Sequence, residues 1–163
     1  MDSGRVLHAC SDGVHVLRFL GDIRYTLSPS LEDYVQNLFS GSTPAAMVID
    51  LVETESIDST NLGLMARMAM RMEELGGSRI TIVSDRPEIN VLLNSMAFDE
   101  VFDIVPRTAI EAAEATEIAV EPADKAGTAR TVLNAHRALM ELSEHNRDLF
   151  RDVVTEIEKN ESR

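Results

Sequence analysis

The positions of apolar residues predict strands and helices that alternate over the first two thirds of the chain. Residues 6–9 and 14–20 favour strands and flank the turn residues Ser11-Asp12-Gly13, which predicts a β-hairpin. Residues 47–51 are apolar on nearly consecutive positions, a pattern typical of a central strand that is covered on both faces. Later strands are predicted at residues 79–83 and in the region 98–105.

Helical periodicity fills the intervals between these strands. Apolar residues recur at spacings of three and four over residues 31–39 and again over 62–75, where Gly76-Gly77 ends the helix. Shorter helices are predicted at about 87–94 and at 108–115. Because strand, helix and strand alternate from residue 46 on, we expect right-handed crossovers and a mostly parallel sheet. The N-terminal hairpin adds an antiparallel edge, so we expect an α/β fold with a mixed sheet.

The last third of the chain predicts a long helix. Residues 117–128 contain Pro122 and Gly127, show little periodicity and are interpreted as a linker between a domain at 1–116 and a helical extension at 129–163. Asn146 falls on an a position of a heptad, where a polar residue fixes the register of coiled coils. The stripe either packs on the chain's own sheet domain or joins two copies into a homodimer. Its apolar members are Val132, Ala135, Leu139, Leu142, Leu149 and Val153.

Charge and cysteine content exclude several classes of function. The formal net charge of −13 argues against nucleic acid and anionic membranes as partners, and it is compatible with a basic protein partner. The single cysteine, Cys10, excludes an internal disulfide and a cysteine-rich zinc site. No apolar run reaches the length of a membrane span, and the N-terminus lacks a signal-peptide core. We therefore expect a cytoplasmic protein without a cofactor.

A strip of small and apolar residues is predicted along the helix at 62–75. Ser59, Gly63, Ala66 and Met70 are spaced by four, three and four residues, so they lie in one line, between a core-facing arc and a charged face. Glycine within a helix costs about 0.5–1 kcal/mol relative to alanine. Close approach of another chain would offset that cost, and relief of packing against a neighbouring loop is the alternative. The triplet Asp58-Ser59-Thr60 is in itself an ordinary helix start.

The chain also shows a specific resemblance to a known protein family. The chain resembles the STAS domain of bacterial anti-sigma factor antagonists over about residues 5–115, in order and with similar spacing. The segments that carry the resemblance are Val48-Ile49-Asp50-Leu51, Ile57-Asp58-Ser59-Thr60, Leu62-Gly63-Leu64, Gly76-Gly77, Ile80-Thr81-Ile82-Val83, Leu20-Gly21-Asp22-Ile23 and the stretch from Leu92 to Phe102.

The resemblance implies a partner switch that regulates transcription. Members of this family bind a kinase-fold anti-sigma factor when unphosphorylated, and the sigma factor is then released. The anti-sigma factor or a related kinase phosphorylates the serine after the aspartate, and a PP2C-type phosphatase reverses the reaction. By position the phosphoacceptor is Ser59, with Thr60 as the alternative. The implied partner-binding residues are Asp58, Asn61, Gly63, Ala66, Met70, Asp22 and Arg24.

Two residues depart from the family pattern. Asn61 stands where the family usually has glycine, which bears on how closely a partner approaches. Arg24 stands where an acidic residue is expected, which puts in doubt contacts carried over from that turn.

Two rival hypotheses remain beside the switch. The first is a structural STAS subunit that oligomerises through its tail and has no phospho-switch. The second is an enzyme, which we consider weak because no histidine lies near Ser59 in the sequence and no phosphate loop or metal-binding spacing occurs.

Overall fold

Strands and helices alternate along the residues that this computed structural model describes, 3–107 and 116–161. The helix expected at 108–115 lies outside the described residues. The strands are β1 (Arg5–Ser11), β2 (Val14–Ile23), β3 (Ala46–Asp50), β4 (Thr54–Ile57), β5 (Thr81–Val83), β6 (Asp103–Val105) and β7 (Thr116–Glu117). The helices are α1 (Ser28–Ser40), α2 (Ser59–Glu74), α3 (Pro87–Ser95), α4 (Lys125–Leu142) and α5 (Glu144–Glu161).

The strands form one mixed sheet in the order β6-β5-β3-β2-β1-β7. β1 and β2 pair antiparallel through a turn in which Asp12 and Gly13 adopt positive φ angles of 52° and 79°. β3 pairs parallel with both β2 and β5, and β5 pairs parallel with β6, so β3 is an interior strand. The predicted mixed, mostly parallel sheet with an N-terminal hairpin is therefore confirmed.

β4 was not predicted, and it changes where the sheet ends. β2 continues past residue 20 to Ile23, and its last residues pair parallel with β4, with Asp22 opposite Ser56 and Ile23 opposite Ile57. The two central residues of β4 are exposed, and only its ends are buried. Its sequence therefore has no apolar run from which a strand could be predicted. The pairing brings the end of β2 beside the residue that precedes α2. This proximity shapes the candidate functional site.

The core lies between one face of the sheet and the helices. Leu17 and Phe19 of β2 and Ile49 of β3 are fully buried. α2 contributes the arc that the periodicity assigned to the core, with Leu62, Leu64, Met65, Met68 and Met72 buried and Ala69 and Leu75 partly buried. Within the described ranges no helix is both long and apolar enough to cross a membrane.

The predicted C-terminal helix is present as two helices, which we call the C-terminal hairpin (Lys125–Glu161). Ser143 breaks the helix with an extended backbone, at φ −162° and ψ 160°, and its Oγ accepts a hydrogen bond from the Asn146 amide at 3.0 Å. The Asn146 side chain is buried and donates to the carbonyls of Met96 and Leu139, each at 2.9 Å. Asn146 therefore joins the hairpin to the body of the protein and does not set a coiled-coil register.

The heptad pattern does not continue into α5 as a packed stripe. Leu149 and Val153 are 49% and 42% exposed, whereas Phe150 and Val154 are buried. The break at Ser143 changes the direction of the chain, so a different face of α5 meets the protein.

Two histidines on the β1–β2 hairpin predict that stability falls in mild acid. The His8 and His15 rings stack with centroids 5.1 Å apart, and His8 Nε2 lies 2.9 Å from His15 Nδ1. Burial lowers the pKa of both, and the charge of His15 lowers the pKa of His8 further. The unfolded chain therefore takes up protons first as the pH falls through about 6.5. The free energy of unfolding, measured with urea, should decrease from pH 7.5 to pH 5.5.

The variant His15→Gln is the control for this effect. It removes one histidine whose pKa is lowered, and it removes the charge that lowers the pKa of His8. Its free energy of unfolding should therefore change less between pH 7.5 and pH 5.5. An equal pH dependence in the two proteins would contradict the assignment.

Candidate functional site

Asp58 fixes the start of α2 and joins it to the end of β2. As the N-cap it has an extended backbone, and its Oδ1 accepts the Asn61 amide at 3.0 Å. Its Oδ2 accepts the Tyr25 amide at 2.7 Å, and its own amide donates to the Ile23 carbonyl at 3.1 Å. Such a cap satisfies a backbone donor that the first turn leaves free. Asp58 is therefore a structural link in addition to a charge beside Ser59.

Asn61 is an interior residue. Its side chain is 0% exposed, its Oδ1 accepts the Ser28 hydroxyl at 3.0 Å, and its Nδ2 donates to Asp58 Oδ1 at 2.9 Å. This hydrogen bonding ties the first turn of α2 to the start of α1. The expectation that Asn61 contacts a partner does not fit this conformation, since its polar atoms face other parts of the chain.

Ser59 is more accessible than Thr60. Ser59 is the first residue of α2 and is partly exposed, whereas Thr60 is only 5% exposed. The amides of a first helical turn favour an anion at this position. Of the two candidate acceptors, Ser59 is the one that an incoming group reaches with less rearrangement.

His136 of α4 is a site residue that the sequence did not reveal. Its Nε2 lies 2.8 Å from Ser59 Oγ, and its Nδ1 lies 2.7 Å from the Val132 carbonyl. A carbonyl only accepts, so Nδ1 carries the proton and the Ser59 hydroxyl donates to Nε2. No histidine lies near Ser59 in the sequence, but packing of the C-terminal hairpin brings His136 to it across 77 residues.

The C-terminal hairpin also covers the first part of the strip on α2. A Cβ added to Gly63 would lie 2.1 Å from the Ala135 carbonyl oxygen and 2.6 Å from the Ala135 Cβ, so α4 crosses α2 in direct contact with this glycine. Ala66 is fully buried, and Met70 stays partly exposed at the edge of a groove between α1 and α2. The expectation that another chain approaches Gly63 closely does not hold in this conformation, because the protein's own α4 occupies that position. Of the two roles considered for the C-terminal stripe, packing on its own domain is the one present here.

Asp22 and Arg24 form a charged cluster at the end of β2. Asp22 accepts hydrogen bonds from the Ser56 hydroxyl and from Arg24 Nε, the latter at 2.5 Å. The Ser56 hydrogen bond, followed by that of Arg24, lowers the pKa of Asp22 below its usual range. Asp22 and, more weakly, Asp58 raise the pKa of Arg24. The Arg24 side chain is largely exposed, so this turn presents a cation near the start of α2.

The Ser59–His136 pair lacks the third group of a hydrolytic triad. The imidazole is oriented by the Val132 carbonyl, where a nucleophilic site has a carboxylate or amide side chain. Moreover, His136 is itself buried between α2 and the Phe150 ring, whose centroid lies 5.1 Å away. Among the residues that the structure describes, no group of three acidic, histidine or cysteine side chains could hold a metal ion.

Comparison with known proteins identifies the fold family. The family model described as the STAS domain matches residues 7–113. A crystal structure of an anti-sigma factor antagonist from Mycobacterium paratuberculosis is 26% identical, covers 64% of this chain and 87% of its own, and has a TM-score of 0.56. No curated protein matches the sequence.

Two structures of SpoIIAA show the same fold at lower identity. The unphosphorylated form is 13% identical, with a TM-score of 0.54 and coverage of 64% of this chain and 89% of that chain. The phosphorylated form, from Bacillus, is 14% identical, with a TM-score of 0.53 and coverage of 64% and 92%. Because the family model spans about two thirds of the sequence and the sheet follows the same fold, the chain belongs to the STAS domain family.

Proposed function

We propose that this chain is a phosphorylation-controlled partner-switching regulator. Its unphosphorylated form binds a kinase-fold anti-sigma factor, or an analogous regulator, and releases that protein's target. The observation that carries the proposal is the position of Ser59, whose hydroxyl lies at the first residue of α2 beside the capping Asp58. The similarity to a protein described as an anti-sigma factor antagonist supports the same role.

The chemistry of the site suits a reversible phosphate. A kinase would transfer the γ-phosphoryl group of ATP to Ser59 Oγ; ADP leaves, and the hydroxyl proton passes to a base on the kinase. A PP2C-type phosphatase would hydrolyse the ester and restore the hydroxyl. The phosphate adds about −1.5 to −2 charges at neutral pH. The free N–H groups of the first turn favour an anion, so the domain itself remains folded.

The same charge would act strongly on a bound partner. A partner that covers the start of α2 removes water from the phosphate. Asp58 offers no counter-charge, and the nearby Arg24 is already paired with Asp22. An uncompensated charge in such an interface costs about 3–5 kcal/mol. Phosphorylation would therefore dissociate the complex without unfolding either protein.

A phosphorylation assay tests the proposal. Kinase-fold anti-sigma factors encoded in the same genome are purified and incubated with the full chain and ATP, and the modified residue is located by mass spectrometry. We expect phosphate on Ser59 and none in Ser59→Ala. Thr60→Val is the matched control, and it should be modified as the unaltered chain is. Phosphate on Thr60 alone, or on neither residue with any of these kinases, would contradict the switch.

A structural role without a switch is the second candidate. It is favoured by one observation, the burial of Gly63 beneath the chain's own α4. A permanently covered strip would suit a subunit that assembles through other surfaces. We prefer the switch because Ser59 retains partial exposure. We assign no catalytic activity to the Ser59–His136 pair, since its orienting group is a carbonyl and its imidazole is buried.

A further inference from the structure

The strip on which a partner would dock is already occupied. α4 places His136 on the Ser59 hydroxyl and the Ala135 backbone on Gly63. A partner that needs the start of α2 and this strip meets the hairpin first. In this conformation, the hairpin and the partner compete for one surface.

The hairpin lies outside the residues that match the STAS family model. The family model ends at residue 113, and the similar structures are matched over 87–92% of their own length by 64% of this chain. The hairpin begins at Lys125, so it lies beyond that match. Removing it from the strip therefore leaves the elements that define the STAS fold in place.

The contacts that hold the hairpin include several polar ones. Thr131, His136 and Asn146 are buried where the hairpin meets the body of the protein. Thr131 Oγ1 donates to Glu32 Oε1 of α1 at 3.2 Å, and Asn146 Nδ2 donates to the Met96 carbonyl at 2.9 Å. Interfaces between parts of one chain that separate are more polar than obligate ones. Water can take over each of these hydrogen bonds when the hairpin leaves.

A phosphate on Ser59 is incompatible with the contact that the docked hairpin makes to its hydroxyl. The 2.8 Å between Ser59 Oγ and His136 Nε2 leaves no room for a phosphoryl group between the two atoms. The imidazole cannot swing away freely, because Nδ1 is held by the Val132 carbonyl and Phe150 packs against the ring. α4 cannot approach α2 differently either, since its backbone already touches Gly63.

We propose that the C-terminal hairpin is an autoinhibitory cover. Docked, it covers the start of the strip and holds the Ser59 hydroxyl on His136, so the kinase acts slowly and the partner is kept out. Released, it exposes both, and phosphorylation then prevents its return. The proposal rests on the function proposed above, because it concerns regulation of the same site.

Native-state hydrogen exchange of the full chain tests release without any partner. An isolated pair of 18-residue helices is marginal in water, so a released hairpin exchanges its amides. We expect amides in α4 and α5 to exchange at least tenfold faster than those of β3. Equal protection in the hairpin and β3 would overturn the proposal, because the hairpin would then open only when the whole domain unfolds.

A pair of variants tests the effect on Ser59. Ala135→Leu enlarges the residue that touches Gly63 and leaves the STAS surface unchanged, whereas Arg130→Leu adds the same side chain at an exposed position of α4. With the kinase and ATP, we expect Ser59 in Ala135→Leu to be phosphorylated at least tenfold faster than in the unaltered chain and in Arg130→Leu.

The two proposals fail in different ways. Equal rates in all three proteins would overturn autoinhibition and leave the switch standing. Absence of phosphate in all three would overturn the switch, and the exchange experiment would still decide whether the hairpin releases. Protection of β3 amides in Ala135→Leu confirms that the variant is folded.

Discussion

Ser59→Asp is expected to weaken binding of the kinase-fold anti-sigma factor about 100-fold or more. The added carboxylate lies at the first residue of α2, beside Asp58, where a bound partner would exclude water. The cost of about 3–5 kcal/mol for an uncompensated interface charge corresponds to at least two powers of ten in Kd. Calorimetry with the purified partner measures the effect directly.

Ser59→Asn is the matched control, since it has nearly the same shape and no charge. We expect its Kd to stay within a few-fold of the unaltered chain. Both variants are also measured in the Ala135→Leu background, where the hairpin no longer competes. A Ser59→Asp protein that binds as tightly as Ser59→Asn in that background would show that charge does not control docking and would favour a structural subunit.

Gly63→Ala is expected to lower the free energy of unfolding by about 1–3 kcal/mol, the usual cost of overpacking. The new methyl group would lie 2.1 Å from the Ala135 carbonyl oxygen, and backbone cannot yield as a flexible side chain does. The nearest atoms around the added Cβ all belong to Ala135, so the damage should be confined to the hairpin contact. Urea unfolding measures the loss, and hydrogen exchange should place it in residues 125–161.

The sign of the change in unfolding free energy in Gly63→Ala distinguishes a glycine in close contact with α4 from a glycine without a close neighbour. Helix propensity alone predicts that alanine stabilises α2 by about 0.8–1 kcal/mol. A raised urea midpoint would therefore show that Gly63 has no close neighbour in solution. A lowered midpoint, with protection of β3 intact, would show that α4 lies on this glycine.

The hairpin changes how the family resemblance applies to this chain. In the family pattern the residues around Ser59 and Gly63 form the contact surface for another protein. Here the same surface carries His136 and Ala135 of the chain itself. Under the proposed autoinhibition, a partner has to displace this helix, and the free energy of displacing it is subtracted from the free energy of binding.

Local chemistry predicted much of this architecture. The hairpin turn at Asp12-Gly13, the interior strand β3 and the core-facing arc of α2 follow from turn residues, from a run of nearly consecutive apolar residues and from apolar spacings of three and four. Each of these signals involves residues close together in the sequence, so it can be predicted from the sequence alone. β4 escaped notice because half of it faces water, and Leu149 and Val153 were misassigned because a one-residue break at Ser143 is invisible to a heptad pattern.

The sequence by itself determined the STAS domain, the helix that starts at Ser59 and the line of small residues that follows it. Only the tertiary structure decided what covers that line. His136 reaches Ser59 across 77 residues, and Ala135 meets Gly63 across a similar separation. Contacts at such distances along the chain have no local spacing to reveal them, because they depend on how two preformed helices pack. The closeness of that packing makes this surface sensitive to a single methyl or phosphoryl group.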